Sequence, residues 1–362
     1  MPETPCLLID VPTMNANISA MAEVAKRNRV AWRPHAKTHK IPDIAKAQLM
    51  AGASGITVAK ISEAEVMAEH GIEDIFVAYP LVVEAKIERA VRLSQRIRLI
   101  VGTDSFEGAR RLSETAGRHD HVLQVRLEID TGMKRTGVEY DKAVELALLI
   151  HGLPNVRLSG IFTFRGAMLD GKPTLDLEKA GKEEGELMVR LAEAMRAEGI
   201  PIADVSVGST PTGAYAAEVK GVTEIRPGTF VFNDRMQAKF GVCSLDDCAA
   251  VIQATVVSRP SERHAVIDGG SKTFATDVQP HTSPLNLVGF GHILEAPDAV
   301  LERFSEEHGI IRLEPHHTLA VGDIVHIIPN HVCSTLNLHN YVYLVDGPSI
   351  EKVAVQARGM LE

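Results

Sequence analysis

Before residue 230 the sequence alternates, about eight times, between a short apolar run and a stretch patterned as an amphipathic helix. Strand readings fall at 30–33, 55–59, 75–79, 98–101, 122–129, 158–164, 205–207 and 224–226. Helix readings fall at 42–50, 83–93, 105–116, 141–151 and 175–198, and Ser62 with Glu65 reads as the capping box of a further helix running to His70. A strand followed by a helix and another strand implies parallel pairing, because the helix is the crossover that parallel strands require. Eight such units suggest a closed (β/α)8 TIM-type barrel more than an open doubly wound sheet.

After Phe240 the texture changes. The runs 249–257, 264–268, 324–328 and 340–345 are short, rich in β-branched residues and separated by Gly, Pro and Asp. No amphipathic helix of comparable length lies between them, so this region reads as a mostly antiparallel β domain. The expected division is a barrel over 12–232 and a β domain over 233–362, with the N-terminal segment 1–11 joining the latter. The sequence shows no internal repeat and no low-complexity linker.

Composition narrows the function classes. The 362 residues carry 38 Lys+Arg against 47 Asp+Glu, a formal net charge of −9, with no long basic run. A polyanion binder needs the opposite balance, so nucleic acid is not expected as a partner. Hydrophobic residues at 45% and charged residues at 23% exclude disordered and collagen-like chains. Four cysteines, Cys6, Cys243, Cys248 and Cys333, are too few for a disulfide framework, and a reducing cytoplasmic setting is expected. The start MPETPCLLID lacks the pattern of a signal peptide, and no apolar run approaches membrane-spanning length.

In a barrel of this kind, function sits at the C-terminal ends of the strands. The first strand is followed by RPHAKTHK (33–40), the fifth by EIDTGMKRTG (128–137), the seventh by GSTPT (208–212), and the eighth by RPGT (226–229). A lysine can form a Schiff base. Gly/Ser/Thr turns offer backbone N–H groups to a phosphate. Lys37, Arg135 and the two turns would together suit pyridoxal phosphate, a phosphorylated aldehyde. Each also has a bland alternative: Lys37 beside Arg33 and Lys40 in a solvated turn, Arg135 as a surface arginine, and the turns as ordinary loop chemistry. Their recurrence at strand ends favours the cofactor. Further on, His331 and Cys333 stand two apart, and in extended backbone such side chains point the same way. An imidazole and a thiolate on one face suit zinc; the alternative is a strand-edge histidine beside a buried free thiol.

RPHAKTHK, EIDTGMKRTG, VGSTPT, EIRPGTFVFND, VIDGGSK and PNHVCSTLNL, in that order along nearly the whole chain, resemble the D-threonine aldolase and D-serine dehydratase family. That family is a branch of the alanine-racemase-like, fold-type III pyridoxal phosphate enzymes. The resemblance implies that Lys37 holds the cofactor and that Arg135 stands near its phenolate oxygen. It puts Gly208, Ser209, Thr210, Gly228 and Thr229 at the phosphate, and Arg226 near the pyridine nitrogen. His331 and Cys333 match the metal pair, for zinc first, with manganese or magnesium as alternatives. It further implies a homodimer with sites near the subunit interface and a β-hydroxy-D-amino acid as substrate.

The chain departs from the aldolases in two places. Where many of them carry Tyr-x-Gly-His at the sixth strand, this chain has Phe164, Arg165, Gly166 and Ala167, so a base for the substrate hydroxyl is missing. Arg165 is either a binder of a second substrate carboxylate or a surface arginine. The metal pair of the aldolases is His-x-Asp, and His-x-Cys is the form of the dehydratases. The first expectation is a lyase cleaving its substrate to glycine and an aldehyde. The alternatives are β-elimination to a 2-oxo acid and ammonia, an amino-acid racemase, and a non-catalytic pyridoxal phosphate-binding protein.

Overall fold

The structure, a computed structural model, describes residues 2–315 and 317–362. It divides into two compact units. One comprises Ala20–Lys37, Ile41–Gly228 and Gly359–Glu362; the other takes the described residues up to Ser19, Thr38–Lys40 and Thr229–Arg358.

The first unit is the parallel barrel. Its strands are Ala31–Trp32, Ile56–Val58, Asp74–Pro80, Arg98–Thr103, Leu123–Asp130, Val156–Phe162, Asp204–Val207 and Glu224–Ile225. They pair in parallel in that order, and Glu224–Ile225 returns to Ala31–Trp32. An isolated parallel bridge between His35 and Thr57, with Thr57 N donating to Pro34 O at 2.8 Å, closes the ring. Strands covered on both faces read as continuous apolar runs, which is why short pieces such as Ile56–Val58 stand out in the sequence. Helix Phe106–Arg118 shows the outer layer. Ala109, Leu112 and Ala116 are buried one helical turn apart, Arg110 and Arg111 pair with Glu107 on the wet side, and Ser105 caps by accepting from Gly108 N.

One local expectation is corrected. Helix Ile61–Glu69 is capped by Glu63, whose carboxylate accepts from Ala59 N at 2.7 Å and Lys60 N at 3.1 Å. Ser62 and Glu65 lie inside the helix, where Glu65 pairs with Arg89 at 2.5 Å. A glutamate stands three residues after both Lys60 and Ser62, and sequence spacing alone cannot choose the frame.

The barrel interior holds a charged layer. Glu224 accepts from Arg126 Nη1 at 2.5 Å, Arg33 Nε at 2.8 Å and Ser206 Oγ at 2.5 Å. Arg33 also pairs with Asp74 at 2.6 Å, and Arg126 with Asp204 at 2.9 Å. Buried charges persist only when paired in this way. The Arg126 guanidinium lies 4.8 Å from the centroid of Phe76, which meets Phe162 edge to face at 4.9 Å.

The second unit is built on strand Ala250–Ser261. It pairs antiparallel with Cys6–Asp10, His264–Ile267 and Ile324–Pro329, and Cys6–Asp10 pairs in parallel with Tyr341–Asp346. Strands Gly291–Ile293, Val300–Phe304, Gly309–Arg312 and Ser349–Ala354 complete the sheet. These four escape sequence reading because they are short or largely exposed, and their alternation is weak.

Candidate active site

Lys37 sits in the single turn Ala36–Thr38 that follows the first barrel strand, and it is half-buried. Its neighbourhood is not a solvated turn: Arg33 is buried in the Glu224 pairing. His35 N donates to Pro227 O at 2.9 Å, tying this segment to the end of the eighth strand. Lys37 Nζ lies 5.4 Å from the ring centroid of Phe164, and the Arg135 guanidinium lies 4.9 Å from the same centroid. Phe164, just past the sixth strand, therefore brings the lysine and the arginine to one aromatic group.

The two glycine turns also meet. Gly228 N donates to Thr210 Oγ1 at 3.3 Å, joining the ends of the seventh and eighth strands. Gly208 has φ +80, and a Cβ there would stand 2.9 Å from Gly213 Cα, so glycine is required. Beneath the turn, Glu184 Oε1 accepts from Gly208 N at 3.3 Å and Glu184 Oε2 from Thr212 Oγ1 at 3.4 Å. Burial pushes the Glu184 carboxyl up to about 7 against the pull of Arg226. Ser209 Oγ pairs with Thr212 Oγ1 at 2.9 Å.

Arg226 is buried, with Nη1 donating to Ser206 Oγ at 2.6 Å and Nη2 to Thr163 O. Burial pulls it down to about 10, although Glu224 opposes the shift. Arg165 is also buried and pairs with Glu183 at 2.8 Å, so the reading as a surface arginine is wrong.

In the second unit, His331 and Cys333 are not on a strand. His331 is extended and forms the N-cap of helix Val332–Leu336, so Cys333 lies in the first turn of that helix. The two side chains nonetheless interact. Burial alone would lower the imidazole, but the Cys333 and Asp277 charges outweigh it and hold His331 up to about 11. Burial alone would raise the thiol, but His331 outweighs it and Cys333 is lowered. Each group thus favours the charged form of the other.

His331 Nδ1 lies 2.5 Å from Asp277 Oδ2, and Ser334 Oγ donates to the same oxygen at 3.0 Å. Cys333 Sγ is 3.1 Å from Thr38 Oγ1 and 3.4 Å from Thr229 Oγ1. Thr229, expected at a phosphate, has its hydroxyl at the thiol. Asp234 accepts from Val332 N at 3.0 Å and caps helix Arg235–Phe240 through Gln237 N at 2.9 Å, which anchors the segment that carries the pair.

A nitrogen and a thiolate sulfur fit a borderline-soft divalent ion, and a carboxylate on the far imidazole nitrogen is the usual support of a metal-bound histidine. Among the described residues no third His, Cys, Asp or Glu joins them in a metal-sized cluster. Glu184 and Asp277 lie outside the sequence motifs, and Thr38, Phe164 and Asp234 fall within quoted stretches that assigned them no role. Asp277 stands 54 residues before His331 with no motif around it.

Residues 9–236 match the family of alanine racemase N-terminal domains, and residues 249–345 match the putative serine dehydratase domain. The chain belongs to the alanine racemase N-terminal domain family. That family has a pyridoxal phosphate-dependent fold. Within it, the chain is 33% identical to the D-threo-3-hydroxyaspartate dehydratase of Delftia sp. (strain HT23), over 92% of this chain and 91% of that one. It is 28% identical to the D-threonine aldolase of Arthrobacter sp, over 99% and 93%. The crystal structure of D-threonine aldolase from Filomicrobium marinum superposes with a TM-score of 0.88 at 29% identity, covering 99% and 97%. A cysteine-to-alanine mutant of D-threo-3-hydroxyaspartate dehydratase, described as the metal-free form, superposes with a TM-score of 0.90 at 32% identity, covering 98% and 97%. Among the described residues no helix is long and apolar enough to cross a membrane.

Proposed function

We propose that this chain is a pyridoxal phosphate-dependent lyase acting on a β-hydroxy-D-amino acid. The observation that carries the reading is the pair of groups on Phe164, a half-buried lysine and a guanidinium, at a barrel mouth whose glycine turns converge. Lys37 would hold the cofactor aldehyde, Arg135 would serve its phenolate oxygen, and Gly208, Ser209, Thr210, Gly228 and the Thr229 backbone would take the phosphate. Arg226 would serve the pyridine nitrogen. The cofactor supplies an electron sink for the substrate α-carbon.

His331 and Cys333 would hold a divalent ion, zinc before manganese or magnesium, and such an ion would supply Lewis acidity for the substrate hydroxyl. Thr38 follows Lys37 directly, so the cofactor lysine and a hydroxyl bonded to the thiolate are neighbours in the chain. Cleavage to glycine and an aldehyde is the first reading. Elimination to a 2-oxo acid and ammonia is the second, favoured by Ala167 where many aldolases carry histidine and by Cys333 in the metal pair. The enzyme acts in the cytoplasm as a homodimer.

Purified enzyme given D-threonine, D-serine and 3-hydroxy-D-aspartate, with and without metal, tests this. Glycine with an aldehyde marks the aldolase, and a 2-oxo acid with ammonia marks the dehydratase. Racemisation of a D-amino acid, or cofactor binding without turnover across the panel, refutes the lyase. Sedimentation tests the dimer: a fully active monodisperse monomer excludes it.

A further inference from the structure

The turn that carries Arg135 is tied back to the barrel by three carboxylates. Asp130 Oδ1 accepts from Gly132 N at 2.8 Å and Lys134 N at 3.0 Å. Asp104 Oδ2 accepts from Gly137 N at 3.2 Å. Glu128 Oε1 accepts from Thr136 Oγ1 at 2.8 Å, the side chain next to Arg135. The first two hold backbone and would do so whatever side chains the turn carried. The third depends on the sequence.

Glu128 differs from the others in a second way. It is 4% exposed, and its Oε2 is buried with no hydrogen-bond partner among the described residues. A buried acceptor left unpaired is costly, so such an atom calls for a donor. Two guanidiniums act on this carboxyl electrostatically, those of Arg135 and Arg226. Arg226 already gives Nη1 to Ser206 and Nη2 to Thr163. Arg135 rests on Phe164 and forms no hydrogen bond or ion pair among the described residues. Its donors and the empty oxygen are complementary.

We infer that Glu128 is the positioning residue of Arg135: through Thr136 it fixes the turn, and its second oxygen accepts from the Arg135 guanidinium in the holoenzyme. The inference rests on the reading of Arg135 as a cofactor residue. Burial raises the Glu128 carboxyl above the usual carboxylate range despite Thr136 and Arg135, as expected of an acceptor that lacks a close donor.

The test uses holoenzyme of wild type, Thr136→Val, Thr136→Ser, Glu128→Gln and Arg135→Lys. Its readouts are the pH titration of the bound cofactor's absorption band, the cofactor dissociation constant, and kcat and KM. Arg135→Lys should move the titration midpoint. Thr136→Val and Glu128→Gln should move it the same way, by about one pH unit, and lower kcat/KM by about tenfold. Thr136→Ser should behave as wild type, and Glu128→Gln should add little on top of Arg135→Lys.

Unchanged midpoint and kinetics in both Thr136→Val and Glu128→Gln, or effects fully additive with Arg135→Lys, overturn the positioning role and leave the Arg135 reading intact. An Arg135→Lys enzyme with wild-type spectrum and cofactor affinity overturns the reading of Arg135, and the positioning role with it. If Glu128→Gln fails to fold, the Thr136→Val and Thr136→Ser pair, which exchanges only a hydroxyl, decides alone.

Discussion

Thr38 Oγ1 lies 3.1 Å from Cys333 Sγ, across 295 residues of chain. With Thr229 Oγ1 at 3.4 Å, it gives the half-buried sulfur two hydroxyl neighbours. A thiolate without such donors would be costly to bury. The RPHAKTHK run thus places Thr38 at the sulfur, one residue after the lysine proposed to hold the cofactor.

Removing the Thr38 hydroxyl should weaken the metal site without dismantling the fold. Thr38→Val is expected to bind zinc roughly 10- to 100-fold more weakly, as outer-shell partners typically do, and Thr38→Ser to remain near wild type. Cys333→Ala should lose the metal and the lyase activity while keeping the cofactor band. Cys243→Ala and Cys248→Ala should retain activity. Competition against a chromophoric chelator measures the affinities, and equal zinc binding by Thr38→Val and wild type would contradict the supporting role.

Lys37 should be the residue that carries the cofactor. Borohydride reduction of the holoenzyme followed by peptide mapping is expected to place the pyridoxyl label on Lys37. The neighbouring candidates are Lys40 and Lys60, the latter with its ammonium 3.8 Å from the centroid of Tyr79. A label on either would refute the assignment.

Glu224 should be the most costly single charge to remove from the barrel. Glu224→Gln leaves Arg33 and Arg126 buried without their shared anion, and breaking a buried pair from one side costs about 3–5 kcal/mol. Burial alone would raise this carboxyl, but Arg126 and Arg33 outweigh it and hold it well below the usual carboxylate range. The unfolded chain therefore takes up the proton first as pH falls. Its stabilisation is full above about pH 4.5 and is lost progressively below it. Urea unfolding of wild type and variant at pH 7 and pH 4 checks both points: the gap should narrow in acid.

Glu184 should show the opposite sign. Its carboxyl is pushed up to about 7, so the folded state keeps a proton that the unfolded chain releases near its ordinary value of 4.5. Stability from this group is full below about pH 4.5 and declines until about pH 7. Glu184→Gln keeps an acceptor for Gly208 N and a polar contact for Thr212, so it should gain on wild type across that window, by on the order of 3 kcal/mol. A stability difference that does not change with pH between 4.5 and 7 would rule this out.

The alternation of strand and helix was readable in the sequence because each element's burial is written locally. The runs at 75–78 and 99–101 are apolar wherever they fold, and Leu177–Ala197 carries its buried stripe in its own spacing. The motifs at strand ends were readable for a related reason: one lysine or one Gly-Ser-Thr turn fits within a few residues. What surrounds them was not. Glu224 gathers Arg33 and Arg126, and Phe164 gathers Lys37 and Arg135, only because the barrel returns distant strand ends to one place. The frame of the cap at Glu63, the helical seat of Cys333, and the bonds from Asp277 to His331 and from Thr38 to Cys333 depend on backbone direction and on contacts across tens to hundreds of residues. Local pattern records which faces are buried. Which charge meets which is decided by packing, because a buried ionised group is stable only where a partner from elsewhere in the chain neutralises it.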